Sequence, residues 1–422
     1  VTNDPTEAVE AVFREESGRI IATLIRLARS FDRAEEAMQE ALASALASWP
    51  RTGIPQNPAA WITATAQRKV IDRGRRDKTR ETQEEAVRYE LGGPTMPDDP
   101  FAGELLEHLP DDRLRLIFTC CHPALNREAQ VGLTLRTLGG LTTREIARAF
   151  LMSEASVAQR LVRAQRKISE AGIPYRVPSA SDLPERLEAV EAVIYLIFNE
   201  GYSAASGDRL VRVDLCKEAI RLGTVLEALL PEEPESLALL GLMLLHDSRR
   251  DARVVNGQLV TLEEQDRRLW DRDAITDGLV ILDRARRAGS VGPYLLQAEI
   301  AALHAQAGLP QAADWAQVAA LYEQLVRMAP SPVIALNYAA ALGMSGRLNE
   351  ALARIDSLGT SGDLDRYYLF HAARADVLRR LNRRDESVDA YREALALATN
   401  PVEQAFLRRR LGELGIAETT AS

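Results

Sequence analysis

The stretch Leu141–Ile168, "LTTREIARAFLMSEASVAQRLVRAQRKI", decides how this chain is read. Thr142-Thr143 marks a helix start, because a hydroxyl there can accept from the free N–H groups of the first turn. Ile146, Ala147 and Phe150 follow at helical spacing, and a short "LMS" turn leads to Ser153, a second N-cap. In the next helix Val157, Leu161, Ala164 and Ile168 share one face, while Ser156, Gln159, Arg160, Arg163 and Arg166 share the other. From Ser156 to Ile168 there are four bases and no acid, in a chain with a formal net charge of -9. Two short helices joined by a tight turn fit a helix-turn-helix, whose second helix enters the major groove of DNA. Arginine can grip guanine edges and glutamine can pair with adenine, whereas a carboxylate would be repelled by phosphates. The candidate DNA contacts are Thr143, Arg144, Ser153, Ser156, Gln159, Arg160, Arg163 and Arg166. The plain alternative is a solvated basic face on a structural helix pair.

Upstream, charge is laid out in blocks. From residue 64 to 80 seven bases stand against two acids; from residue 81 to 112 ten acids stand against one base. The acidic block holds "GGPTMPDDP" (Gly92–Pro100), a helix-breaking run, and reads as a linker between two helical modules that each end in a basic helix. In the first module "FDRAEEAMQEALASALASW" (Phe31–Trp49) sets Asp32, Glu35, Glu36, Gln39 and Glu40 along one side of a helix, with Ala37, Leu42, Ala45 and Leu46 expected toward a core. After a Pro-rich turn, "NPAAWITATAQRKVIDRGRRD" (Asn57–Asp77) begins with Pro58 near a helix start and ends in the basic cluster. The acidic face suits a protein partner. The basic helix suits nucleic acid, although Trp61, early in that helix, reads first as a core anchor.

In this order the segments resemble the extracytoplasmic-function type of bacterial RNA polymerase sigma factor, over about residues 5 to 170. The resemblance implies that "DRAEEAMQEAL" docks on the clamp coiled coil of core polymerase through Asp32, Glu35, Glu36, Gln39 and Glu40. It implies that the following helix helps to melt and read the −10 promoter element, with Trp61, Arg68, Lys69, Asp72, Arg75 and Arg76 as candidates, and that the helix-turn-helix reads the −35 element. In the family the acidic linker threads a basic polymerase channel otherwise used by RNA. Two positions depart from the pattern: many relatives carry Asn where Arg68 stands, and the helix-turn-helix turn, often with Gly, has Leu151 here.

Simple members of that family stop near the second basic helix, but this chain of 422 residues continues for about 250 more, too long for one hydrophobic core. A proline-bearing break, "GIPYRVPSASDLP" (Gly172–Pro184), opens the extension. Within it "SGRLNEALARI" (Ser345–Ile355) aligns with "LNRRDESVDAY" (Leu381–Tyr391) at an offset of 36 residues, and "YEQLVRMAPSPV" recurs as "YREALALATNPV" 69 residues on. Helix-pair repeats of this period are a tetratricopeptide signature, and such arrays offer concave surfaces to peptides or other domains. The chain thus resembles the subgroup with a tetratricopeptide-like C-terminal extension. Three polar stretches, "FNEGYSA", "LHDSRRDAR" and "EEQDRRLWDR", suggest a contact site built from Asn199, Glu200, Arg249, Arg250, Gln265, Asp266 and Trp270. Salt bridges and caps that lock the helices are the plainer reading.

Hydrophobic content of 46% against 27% charged residues is that of a globular protein, and no apolar run nears the roughly 18 residues of a membrane span. "FTCCHPAL" (Phe118–Leu125) offers Cys120, Cys121 and His122, but adjacent cysteines seldom both ligate one ion, so packed, reduced thiols and a cytoplasmic setting are expected. Neither a phosphate loop nor a nucleophile constellation is evident, and no enzyme, metal or cofactor is expected.

The expected fold is all-α: two small helical sigma modules joined by an acidic linker, the second with the helix-turn-helix, then a helical domain and tetratricopeptide-like helix pairs. The expected boundaries are residues 5–80 (region 2-like), 81–108 (linker), 109–171 (region 4-like), 172–184 (Pro-rich linker), 185–290 (helical extension) and 291–416 (repeats). The expected partners are core RNA polymerase, promoter DNA and, through the repeats, a regulatory protein or an intramolecular contact, without a membrane. The rival reading is a stand-alone helix-turn-helix regulator with a repeat-type sensor or interaction domain. Its discriminating feature is the Phe31–Asp77 helix pair, which such a regulator does not require.

Overall fold

The computed structural model describes residues 4–28, 30–86, 109–149, 152–179, 181–202, 212–289, 291–307 and 314–415, with the side chains of 14–15, 76–86, 109–111 and 148–149 outside the described set. The described residues form an all-α fold whose strands amount to one two-residue hairpin. The chain divides into two compact units, residues 1–194 and 195–422, and the division falls inside one helix, α8 (Leu183–Tyr202), later than the prolines suggested.

The first unit opens with α1 (Pro5–Ala28), α2 (Phe31–Thr52) and α3 (Pro58–Ala86). Ser30 caps α2 by accepting from the Arg33 N–H, and Gly53 ends it at a φ of 81°, a value that glycine adopts without a side-chain clash. Asn57 caps α3 at the Ala60 N–H, 2.9 Å away. Ile20, Ala22 and Leu24 of α1, Ala34, Ala37, Met38, Ala41, Ala45 and Trp49 of α2, and Ile62 and Ala66 of α3 make the core. Apart from the adjacent Ala37 and Met38, the buried positions of α2 advance by three or four residues. Leu42 and Leu46 therefore lie about 100° round from Ala41 and Ala45. Leu42 is half-buried and Leu46 is 43% exposed, which corrects the expectation that both face the core. Helix α3 runs on to Ala86, six residues into the stretch read as a linker. The rest of that linker, residues 87–108, lies outside the described residues.

Next come α4 (Leu109–Cys120), α5 (Arg127–Leu133) with a π-helical turn (Thr134–Leu138), α6 (Thr143–Ala149) and α7 (Glu154–Glu170). Of these, α4 and the π-helical turn pack against α1, while α5 and α6 pack against α7. Gly18 lets the Leu138 backbone approach: a Cβ there would stand 3.4 Å from the Leu138 Cα and carbonyl oxygen.

The second unit contains α9 (Val213–Leu229), α10 (Pro234–Asp247), α11 (Arg250–Arg253), strands β1 (Val254–Val255) and β2 (Gln258–Leu259), α12 (Arg272–Ala288) and α13 (Pro293–Gln306). The antiparallel hairpin pairs Val254 with Leu259 and Val255 with Gln258. Asn256 and Gly257 turn it at φ values of 51° and 74°, both left-handed as a type I′ turn demands. Then α14 (Trp315–Met328), α15 (Pro332–Met344), α16 (Leu348–Gly359), α17 (Tyr368–Arg380), α18 (Arg384–Leu397) and α19 (Pro401–Glu413) follow.

The offset of 36 residues appears in these helices as backbone geometry. The turn between α15 and α16 puts Gly346 at φ 89°, and the turn between α17 and α18 puts Asn382 at φ 59°. The Arg347 N–H reaches the Leu342 carbonyl at 2.9 Å, and the Arg383 N–H reaches the Leu378 carbonyl at 3.0 Å. Of residues 185–290 and 291–416, read from sequence as separate domains, all from residue 195 onward fall in one compact unit.

Helices α10 and α12 cross closely because each carries a glycine at the contact. A Cβ on Gly241 would stand 3.2 Å from the Gly278 carbonyl oxygen, and one on Gly278 would stand 3.0 Å from Leu245 Cγ. Gly241→Val is expected to destabilise the protein by about 1–3 kcal/mol through forced separation of the helices. Urea unfolding followed by circular dichroism checks this; an unchanged midpoint would mean that the crossing tolerates a side chain.

Candidate polymerase and nucleic-acid interface

The helix-turn-helix is built from two capped helices. Thr142 and Glu145 form a reciprocal capping box: the Glu145 N–H donates to Thr142 Oγ1 at 3.1 Å and the Thr142 N–H to Glu145 Oε2 at 2.8 Å. Ser153 caps α7, with its Oγ 3.1 Å from the Ser156 N–H. Phe150 and Leu151 lie outside the described residues. Val157, Leu161, Ala164 and Ile168 are buried, and Ser156, Gln159, Arg160, Arg163 and Arg166 are exposed.

Partners on this face are local. Gln159 Oε1 accepts from Arg163 at 2.7 Å, Arg166 meets Glu170 at 2.6 Å, and Arg160 meets Glu128 of α5. Arg144 is 82% exposed and lies 3.8 Å from Glu154; Thr143 is half-buried. Ion pairs this exposed contribute little to stability and exchange readily for phosphate.

The second surface is where α2 meets α3. Asp32, Glu36 and Gln39 are exposed, and Glu35 and Glu40 are half-buried. Arg73 of α3 pairs with both Glu36 and Glu40, and Lys69 Nζ lies 3.2 Å from Glu40. The hydrogen bond from Arg73, and then its charge, hold the Glu36 carboxyl below its usual range. Arg68, Asp72 and Arg75 are exposed, and the Arg76 side chain lies outside the described residues. Trp61 is half-buried and meets Trp49 edge to face, with centroids 5.5 Å apart, so its ring holds α3 to α2.

Glu35 ties the two surfaces together. It accepts from Arg136 in the π-helical turn at 3.3 Å and from Gln165 of α7 at 2.5 Å. Neither partner stood among the sequence candidates. Gln165 sits beside the buried Ala164 position and is half-buried, which its place in a polar, basic run conceals.

An acidic helix paired with a basic one, followed by a capped helix-turn-helix with an acid-free outer face, is the arrangement described so far. Residues 12–80 match the family described as Sigma-70 region 2, and residues 115–168 match Sigma-70, region 4. These two regions support an RNA polymerase sigma factor. As a sigma factor the chain binds RNA polymerase and takes part in promoter recognition. Residues 186–286 match a family of unknown function, DUF6596. An uncharacterized protein of Rhizobium meliloti (strain 1021) is 45% identical over 410 residues, covering 95% of each chain. The sigma regions and the extension therefore occur together in that relative.

In the extension of this sigma factor the structure brings Arg249 and Trp270 together, the guanidinium 5.7 Å from the indole ring, and gives the other five sequence candidates separate surroundings. Asn199 is exposed, and Glu200 lies 3.9 Å from Arg212. Arg250 holds Asp247 through two 2.9 Å bonds, and Asp266 caps a 3-10 turn (Arg267–Leu269). Gln265 and Trp270 are buried. Arg249 donates to the Tyr202 hydroxyl at 2.8 Å. Other charged pairs here join elements of the same unit: Glu263 meets Arg380 at 2.9 Å, and Glu264 meets Arg409 at 3.0 Å and Arg410 at 2.9 Å. No helix among the described residues is long and apolar enough to cross a membrane.

The adjacent thiols of region 4 are buried. Cys120 Sγ lies 3.2 Å from Thr137 Oγ1 and Cys121 Sγ lies 3.6 Å from Thr134 Oγ1. Among the described residues, no group of three or more His, Cys, Asp or Glu is placed to hold a metal. Burial pushes all three cysteines up, Cys121 to about 11 and Cys216 to about 12, so each keeps its proton near neutrality. At pH 8 the folded protein is expected to leave its three thiols unmodified by Ellman's reagent, with all three titrating in guanidinium chloride. Rapid reaction of any of them in the folded state would contradict this burial.

Proposed function

We propose that this sigma factor is of the extracytoplasmic-function type and works in the cytoplasm, directing core polymerase to a specific promoter and assisting its melting. The supporting observation is the charge arrangement of region 2, in which an acidic face on α2 is neutralised by bases of the helix beside it. Asp32, Glu35, Glu36, Gln39 and Glu40 dock on core polymerase. Docking exchanges the internal partners of Glu36 and Glu40 for bases of the polymerase, which frees Lys69 and Arg73 to face promoter phosphates. Arg68, Asp72, Arg75 and Arg76 join them at the −10 element, with Trp61 setting the position of the helix. Helix α7 enters the major groove at the −35 element, using Ser153, Ser156, Gln159, Arg160, Arg163 and Arg166, with Thr143 and Arg144 reaching the backbone from α6. Polymerase performs the chemistry.

In the proposed mechanism Glu35 also has to exchange partners. While it holds Arg136 and Gln165, region 4 covers part of the docking face. Residues 291–416 act as tetratricopeptide-like helix pairs that regulate activity through a protein contact; the repeated left-handed turns at Gly346 and Asn382 favour this reading.

Two measurements test the proposal. Core RNA polymerase mixed with the full chain should form a complex on size exclusion, and the Asp32→Lys, Glu35→Lys, Glu36→Lys variant should lose it while keeping its circular dichroism spectrum. Undiminished association of that variant would reject the docking face. In holoenzyme, Arg163→Ala should weaken binding to a −35-bearing duplex by about 1–3 kcal/mol if the guanidinium grips a base. Equal losses on specific and scrambled duplexes would instead make Arg163 a phosphate contact.

A further inference from the structure

The second unit encloses a cavity of about 350 Å³ between α8, α10 and α13–α15. Its polar lining includes Arg249, His246, His304, Gln297 and Asn337, and its apolar lining includes Ile300, Ala340, Met344 and the Trp315 ring. Nothing in the polymerase or promoter reading uses it.

Three features give this cavity a ligand preference. The first is a cation without a counter-charge. Arg249 Nη2 donates to the Tyr202 hydroxyl at 2.8 Å and lies 2.9 Å from His246 Nδ1, and among the described residues no carboxylate pairs with it. Nearby Arg267 is likewise without a carboxylate: it stacks on Trp270 at 4.2 Å and donates to the His304 carbonyl at 2.6 Å. The second is a free polar atom. His304 is only 8% exposed, its ring packs 4.9 Å from Trp315, and its Nδ1 is buried with no hydrogen-bond partner. The third is the charge on the imidazoles. Burial, reinforced by Arg249, pushes His304 down to about 4 and His246 well below its usual value, so both rings are neutral. The lining thus carries a single positive charge, on Arg249.

A half-buried guanidinium without a counter-charge and a buried imidazole nitrogen without a hydrogen-bond partner each leave a need that a folded chain normally meets. A planar carboxylate meets the guanidinium fork, and Arg249 is the one guanidinium in the lining itself. A volume of this size lies at the small end of ligand sites, and its other wall is apolar. We propose that the cavity binds a small organic carboxylate, with the carboxylate on Arg249 and His304 and an aromatic or short aliphatic body against Trp315, Ile300 and Met344. Bound there, the ligand bridges α10, within the segment matching the family of unknown function, and α13–α15, which lead into the repeated helix pairs. The extension is then a metabolite receptor attached to a sigma factor. The binding claim stands whether or not the promoter assignments hold.

The test is calorimetric titration of the full-length protein with sodium benzoate, sodium hexanoate and, as a neutral isostere, benzamide. Saturable binding of at least one carboxylate is expected, with benzamide at least tenfold weaker than benzoate if benzoate binds. Arg249→Gln should weaken that carboxylate at least tenfold. Ala340→Leu, which fills the apolar side and leaves the cation in place, should weaken it as well. If Arg249→Gln fails to fold, as its bonds to Tyr202 and His246 make conceivable, Arg249→Lys and Ala340→Leu carry the comparison. Absence of saturable binding by both carboxylates at millimolar concentration overturns the proposal. So does benzamide binding as tightly as benzoate, or binding that these substitutions leave unchanged.

Discussion

Asp112 is the carboxylate on which the first unit depends. It is 1% exposed, at the start of α4, where Arg26 of α1 reaches it at 3.0 Å and Arg115 at 3.2 Å. The Tyr175 hydroxyl, beyond α7, lies 3.0 Å from both the Ala22 and the Asp112 carbonyl oxygens. Burying a carboxylate without such cations would cost several kcal/mol, so α1, α4 and the segment after α7 must come together for any of them to be stable. Region 4 is held on region 2 by this node and by the close approach at Gly18. Only because it is held do Arg136 and Gln165 meet Glu35.

The consequence is a sigma factor in which Glu35, Glu36 and Glu40 of the proposed docking face have partners within the same unit. These acids face bases of the same unit, which limits the attraction that free Lys69 and Arg73 would exert on any nucleic acid. These bonds are exposed or half-exposed and individually weak, so a partner presenting several bases at once can displace them. The Asp112 node is buried and does not exchange so readily.

The helix-turn-helix was almost wholly legible in the sequence, because its caps and its period of three and four residues are local properties of the chain. The split of α7 into Val157, Leu161, Ala164 and Ile168 inside and the basic set outside follows from that period. What was not legible depended on distant contacts. Asp112 was counted only as one acid of the block from residue 81 to 112, since composition cannot separate a solvated carboxylate from one buried beneath two arginines. Arg136 and Gln165 had no local mark at all. Leu46 looked like a core residue by type, yet its angular position puts it at the rim. The hairpin at Val254–Leu259 did carry a signal, Asn256-Gly257, which the helical character of the surroundings obscured. In the extension, Glu200, Arg250 and Asp266 serve separate ion pairs and a cap, Arg249 meets Trp270, and Arg249 alone of the seven lines the cavity.

The paired turns of the repeat have one more implication. Gly346 and Asn382 share a left-handed backbone and the same hydrogen bonds, and the arginine after each pairs with a glutamate three residues on, Arg347 with Glu350 and Arg383 with Glu386, while most other side chains around them differ. What is copied from one helix pair to the next is a dihedral angle, which Gly or Asn can supply at little cost, together with one ion pair that follows it. Divergence can therefore erase most of the lettering of a repeat without disturbing its pitch. The ancestry of such an array is recorded more durably in its bends than in its residues.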